Sequence, residues 1–152
     1  ACSDAPSEDY TATAEDDFKF TSELFAKDLK VTVIRQNSMI ALPKLTERAF
    51  DYIYIDGGHS EDVCSHDILN GIRLVKTGGI LGGHDFGDPA DKTLNGGSFV
   101  SRRPGSGGVE AAVGSILDGF WVFSEVGDWW IIITDETKAR GDELRKPMNM
   151  RP

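Results

Sequence analysis

Two short apolar runs in this chain each stop on a carboxylate, and that pattern constrains the fold more than any other feature. Tyr52-Ile-Tyr-Ile55 runs directly into Asp56-Gly57-Gly58-His59, and Ile80-Leu81 leads on to His84-Asp85. Runs of this length, rich in aromatic and β-branched residues, predict strands. Between them, Cys64, Ile68, Ile72 and Val75 recur at helical spacing over residues 61–75, with His66, Asp67 and Arg73 facing elsewhere. Ser60 is placed to cap that helix, and Thr77-Gly-Gly79 to end it. A strand–helix–strand unit pairs its strands in parallel, because the helix carries the chain back to the starting end of the sheet. Ligands in such sheets bind at the carboxyl ends of the strands. Asp56 and Asp85 are therefore expected side by side on one rim.

The flanking segments extend the alternation. Asp16 or Asp17 can cap a helix over 18–26, with Phe18, Phe20, Leu24 and Phe25 on its apolar face. Val31–Ile34 reads as a β-branched strand, followed by Asn37 and by a short helix capped by Ser38 and interrupted at Pro43. Residues 86–108 hold six Gly and two Pro, too long a stretch for a simple connector. A small-residue helix is expected over 109–117. Strands over 120–126 and 129–134 then follow, joined at Gly127-Asp128 as an antiparallel hairpin. Trp129 and Trp130 alternate, so one of them should be buried and the other exposed. The charged stretch 136–152 is expected to fray. The expected class is α/β, a Rossmann-like sheet, mostly parallel, covered on both faces and closed by the hairpin.

Size and charge narrow the function. At 152 residues there is room for one core. Six acids and no base fall within residues 1–18, which predicts a solvated acidic arm ahead of a domain over 17–135. The net charge of −9 argues against a nucleic-acid or anionic-membrane binder. Cys2 and Cys64 make no disulfide framework, and Cys64 falls where a buried thiol belongs. The first residues lack the basic start and apolar stretch of a signal peptide, so a cytoplasmic location is expected.

The rim carries the chemistry. Asp56 and Asp85 with an imidazole make a plausible site for Mg²⁺ or Mn²⁺, an ion that can lower the pKa of a substrate hydroxyl. His59 or His84 can instead act as a general base near neutral pH. Asn37 and Ser38 can hydrogen-bond a base or ribose, although Ser38 is also a preferred helix cap. Arg102 and Arg103 can clamp an anion or stand as solvated charges.

Several stretches, taken together, resemble the class I S-adenosylmethionine-dependent methyltransferases, and most of all their small-molecule O-methyltransferase-like branch. They are Phe50-Asp-Tyr-Ile-Tyr-Ile-Asp-Gly-Gly-His-Ser60, Asp67, Leu74-Val-Lys-Thr-Gly-Gly-Ile-Leu-Gly-Gly-His-Asp-Phe86 and Gly108-Val-Glu-Ala-Ala-Val113. The resemblance spans residues 17–135. It implies S-adenosylmethionine as cofactor, with Asn37 and Ser38 near its adenine end and Asp56 and Gly57 near its methionine end. It implies Asp56 and Asp85 as metal ligands, and His59, His84 and Asp85 as catalytic candidates. Phe86 stands where the metal-dependent members often place an Asn ligand, Gly58 replaces an acid and Glu61 a Tyr. The family's Gly-rich cofactor loop and ribose-binding acid have no counterpart, so the resemblance implies an N-terminally truncated chain. The expected function is methyl transfer to the hydroxyl of a small-molecule acceptor. Two rivals remain: a degenerate methyltransferase-like module for binding or assembly, for instance as a homo-oligomer, and a metal-dependent α/β enzyme of another class using the same rim.

Overall fold

The computed structural model describes Lys19 and residues 30–86, 107–125 and 127–146. The chain divides into two units, residues 1–35 and 36–152. In the first unit Lys19 is helical, while the rest of the expected 18–26 helix and the acidic arm lie outside the described residues. Residues 30–35 form no strand, and Val31, Val33 and Ile34 are about half exposed. Strand propensity there is not matched by a place in a sheet, and pairing is what makes a strand.

Among its described residues the second unit contains four helices, one 3₁₀ turn and four strands. Helix α1 is Ser38–Ala41, followed by a 3₁₀ turn at Leu42–Lys44 that accommodates Pro43. Strand β1 is Phe50–Ile55, helix α2 Glu61–Leu74 and strand β2 Val75–Gly83. Helix α3 is Gly107–Ile116, strand β3 Phe123–Glu125, strand β4 Asp128–Ile132 and helix α4 Asp135–Arg145. No helix among the described residues is long and apolar enough to cross a membrane.

The sheet order is β1-β2-β4-β3. β1 and β2 pair in parallel, as the intervening helix requires. β2–β4 and β4–β3 are antiparallel, so the expected mostly parallel sheet has one parallel pair among its described strands. The reason is connectivity: β1, β2 and β3 run the same way, with α2 and then α3 between them in the chain, and β4, joined to β3 by the hairpin, enters between β2 and β3 in the opposite direction. β2 starts without a loop, at Val75, several residues before the expected Ile80. Its register against β1 jumps from Phe50↔Val75 to Tyr52↔Ile80. Gly78 absorbs the irregularity with φ +85°, and a Cβ on Gly79 would sit 2.6 Å from the Asp51 carbonyl oxygen.

Strand alternation splits the sheet into two unlike faces. Ile53, Ile55, Leu81, Trp129 and Ile131 point into one core with Cys64, Ile68 and Ile72 of α2 and Val109, Ala112, Val113 and Ile116 of α3. Tyr52, Tyr54, Ile80, Phe123 and Ile132 point the other way and are exposed, with Phe123 stacked on half-buried Trp130 at 6.1 Å. The described helices thus pack on one face, whereas cover on both was expected. Trp129 is buried and Trp130 is not, following the alternation.

Of the stretch expected to fray, residues 136–145 belong to α4 instead, and residues 147–152 lie outside the described residues. Thr134 and Thr137 make a reciprocal capping box at its start. Lys138 is buried, and its ammonium donates to the carbonyl oxygens of Ile72, Arg73 and Val75 at the end of α2. Cations belong there, because the last carbonyls of a helix lack partners and carry partial negative charge. Gly141 lets α4 approach closely: a Cβ there would meet Ile72 Cγ2 at 2.8 Å.

Candidate functional site

The site lies at the carboxyl ends of β1 and β2, where the backbone N–H of His84 donates to the carbonyl of Ile55 over 3.0 Å. Asp56, His59 and Asp85 converge there, each offering one ligand atom, all within 4.8 Å of one another. His59 Nε2 lies 2.8 Å from Asp85 Oδ2. His84 Nδ1 lies 3.3 Å from Asp85 Oδ1, so this one carboxylate addresses both imidazoles. Asp85 holds that position with a left-handed backbone, φ +59°, a conformation that Asp tolerates better than most residues. All three members are at least partly open to solvent.

The loop carrying Asp56 and His59 is held from below. Cys64 is buried, and its thiol donates to the Gly58 carbonyl over 3.0 Å. Burial, reinforced by Asp67 and Asp85, pushes the thiol pKa up, which fits a structural role. Gly108, in the first turn of α3, packs on the same loop. A Cβ there would lie 2.1 Å from the His59 carbonyl oxygen, so glycine is required. Ser60 occupies the N-cap position of α2 without a side-chain capping bond; its carbonyl accepts from Cys64 N–H.

Beyond His84 the rim continues to Asp128, whose Oδ1 accepts the Tyr54 hydroxyl over 2.6 Å. That hydrogen bond, then burial and the nearby carboxylates, raise the Tyr54 pKa to about 12. Asp128 Oδ1 lies 3.9 Å from His84 Nε2. Neither Tyr54 nor Asp128 was singled out from the sequence. The hairpin brings Asp128 in, and its position directly after the turn glycine was the available signal.

Asn37 and Ser38 are not part of this cluster. The Asn37 side chain accepts from the Met39 backbone N–H over 2.9 Å, so Asn37 caps α1 and Ser38, the expected cap, is the first helical residue. His66 and Asp67, expected to face away from the core, are buried. Arg102 and Arg103 lie outside the described residues.

A parallel β1–α2–β2 unit with acids and imidazoles at its carboxyl rim defines an α/β protein whose polar side chains gather at the edge where sheets of this kind bind ligands. A family model described as a methyltransferase domain matches residues 4–86, more than half of the chain and all of the Asp56–Asp85 cluster. The chain belongs to the class I S-adenosylmethionine-dependent methyltransferase family. No curated protein and no solved structure matches it.

S-adenosylmethionine is the usual cofactor of such domains. The fit of the described residues to it is partial. At Asp56-Gly57 the backbone is open to close approach, since a Cβ on Gly57 would meet only Asp67 Oδ2, at 3.8 Å. A void of about 10 Å³, room for one water, lies between that loop and the core residues Ile68, Val109 and Trp129. The capping bond made by Asn37 leaves that amide oxygen engaged away from a cofactor.

Proposed function

We propose that the chain contributes the acceptor-activating rim of a methyltransferase that acts on the hydroxyl group of a small molecule. The observation that carries this reading is the convergence of Asp56, His59 and Asp85 in a chain of the methyltransferase family. Two carboxylates and one imidazole suit Mg²⁺ or Mn²⁺, with the imidazole favouring Mn²⁺. Asp56, Asp85 and His59 Nε2 would hold the ion, which lowers the pKa of a bound hydroxyl. His84 is then the base. Asp85 Oδ1 sits behind its Nδ1, which leaves Nε2 to take the hydroxyl proton. S-adenosylmethionine, when bound, supplies the electrophilic methyl group. Asp56 and the Gly57 backbone offer its methionine end a place, and Asn37 and Ser38 are the remaining candidates for its adenine end.

Titrating the full chain with Mn²⁺, followed by electron paramagnetic resonance, tests the metal assignment. Micromolar binding that is lost in Asp85→Asn is expected, and an undiminished affinity in that variant sinks the assignment. The second reading, a methyltransferase-like module without catalysis, is supported by the Asn37 side chain, which is engaged in capping α1. Turnover separates the two, since methyl transfer from S-adenosylmethionine to a hydroxyl acceptor by the full chain excludes that second reading.

A further inference from the structure

Helix α2 buries three polar residues that the proposed chemistry does not use: His66, Asp67 and Asn70, each no more than 8% exposed. Buried polar groups persist where they are hydrogen-bonded, and these three form a chain. The Asn70 amide nitrogen donates to the His66 carbonyl over 2.9 Å and lies 3.1 Å from His66 Nε2. An amide nitrogen can only donate, so Nε2 is the accepting atom and the ring hydrogen sits on Nδ1. His66 Nδ1 lies 3.1 Å from Asp67 Oδ1, and the bond runs from imidazole to carboxylate. The other oxygen, Asp67 Oδ2, faces Gly57, 3.8 Å from where a Cβ there would stand.

We propose that Asp67 is a positioning residue for the Asp56–His59 loop, with His66 and Asn70 fixing its carboxylate beneath Gly57. The proposal rests on the metal-site reading for its consequence in binding, but not for its structural content. Asn70 orients His66, His66 orients Asp67, and Asp67 sets the backbone from which Asp56 and His59 project. Cys64 holds the same loop at Gly58, one turn earlier on α2. Cys64 thus bonds the loop at Gly58 while the Asp67 carboxylate packs beneath Gly57, and together they keep the donor atoms of Asp56 and His59 near those of Asp85.

Hydrogen exchange of the full chain, resolved by mass spectrometry over residues 56–60, reads this directly. Asp67→Asn keeps the shape but changes the atom facing Gly57, and His66→Leu releases Asp67 without changing the carboxylate. Both should speed exchange over 56–60 about tenfold and weaken Mn²⁺ binding by a similar factor. His66→Asn returns a donor near the Nδ1 position and should restore both readouts to within about threefold. Ile133→Val, a core truncation at the far end of the sheet, should change neither beyond its effect on global melting. Exchange over 56–60 that stays within about twofold of the native chain in Asp67→Asn or His66→Leu overturns the proposal, as does a His66→Asn variant no better than His66→Leu. Failure of the native chain to bind Mn²⁺ would remove the metal reading and leave the exchange result to decide the positioning role.

Discussion

The two ends of α2 meet the same physical problem and solve it differently. Each helix end exposes four backbone groups without intrahelical partners. At the carboxyl end, Lys138 donates to three carbonyls, Arg73 donates to the carbonyls of Leu42 and Leu45, and Arg145 donates to the carbonyl of Leu69. That end is sealed by cations reaching in from α4, while Arg73 ties it to the 3₁₀ turn. At the amino end the acids Glu61 and Asp62 occupy the first turn, and the Ser60 side chain makes no capping bond. Gly108 of α3 packs against the Glu61 N–H instead, and the candidate site stands beside it. One end is closed by cations, the other is covered by backbone next to the acids and imidazoles of the rim.

Substitutions at the two ends should therefore report on different properties. Lys138→Met, the largest expected effect on stability, strands buried acceptors and should cost about 3 kcal/mol in chemical denaturation. It should leave Mn²⁺ affinity unchanged. Asp85→Asn retains a residue tolerant of the left-handed backbone and should lower Mn²⁺ affinity about 100-fold, with little change in the melting midpoint. If either variant moved both readouts together, the division between the two ends would fail. Gly141→Ala pushes on the Ile72 side chain, which can yield, so a cost of about 1 kcal/mol is expected by denaturation.

The smallest effect lies in the alkaline range. The Tyr54 pKa is raised above its ordinary 10, so the bond to Asp128 contributes fully below pH 10 and is lost between pH 10 and about 12. Absorbance titration should show one of the three tyrosines ionising near pH 12, and Asp128→Asn should bring it back towards 10.

What could be read in the sequence followed how each element is stabilised. β1, α2 and α3 carry their apolar residues at strand or helix spacing, and their cores formed where that spacing put them. Helix α4 was missed because its sequence, Asp135-Glu-Thr-Lys-Ala-Arg-Gly-Asp-Glu-Leu-Arg145, has no apolar stripe. It packs through Thr137, Lys138 and Gly141 instead. The signals present were its capping threonines, early acids and late arginine. Val31–Ile34 erred the opposite way, since branched side chains suggested a strand that no pairing realises. At the rim, residues following the strands were legible because strand ends map directly onto the sheet edge. Asp67 was not, because a helix residue next to an apolar stripe gives no sign that its partners His66 and Asn70 will be buried with it.

The sheet face that no described helix covers has a practical consequence for anyone following the protein by fluorescence. Tyr52, Tyr54, Ile80, Phe123 and Ile132 present a contiguous greasy surface in the folded chain. Environment-sensitive dyes that ordinarily light up when a core opens will find a docking plane here before any heat is applied. A high starting signal, falling as the sheet comes apart, would mark the native state of this molecule and not its collapse.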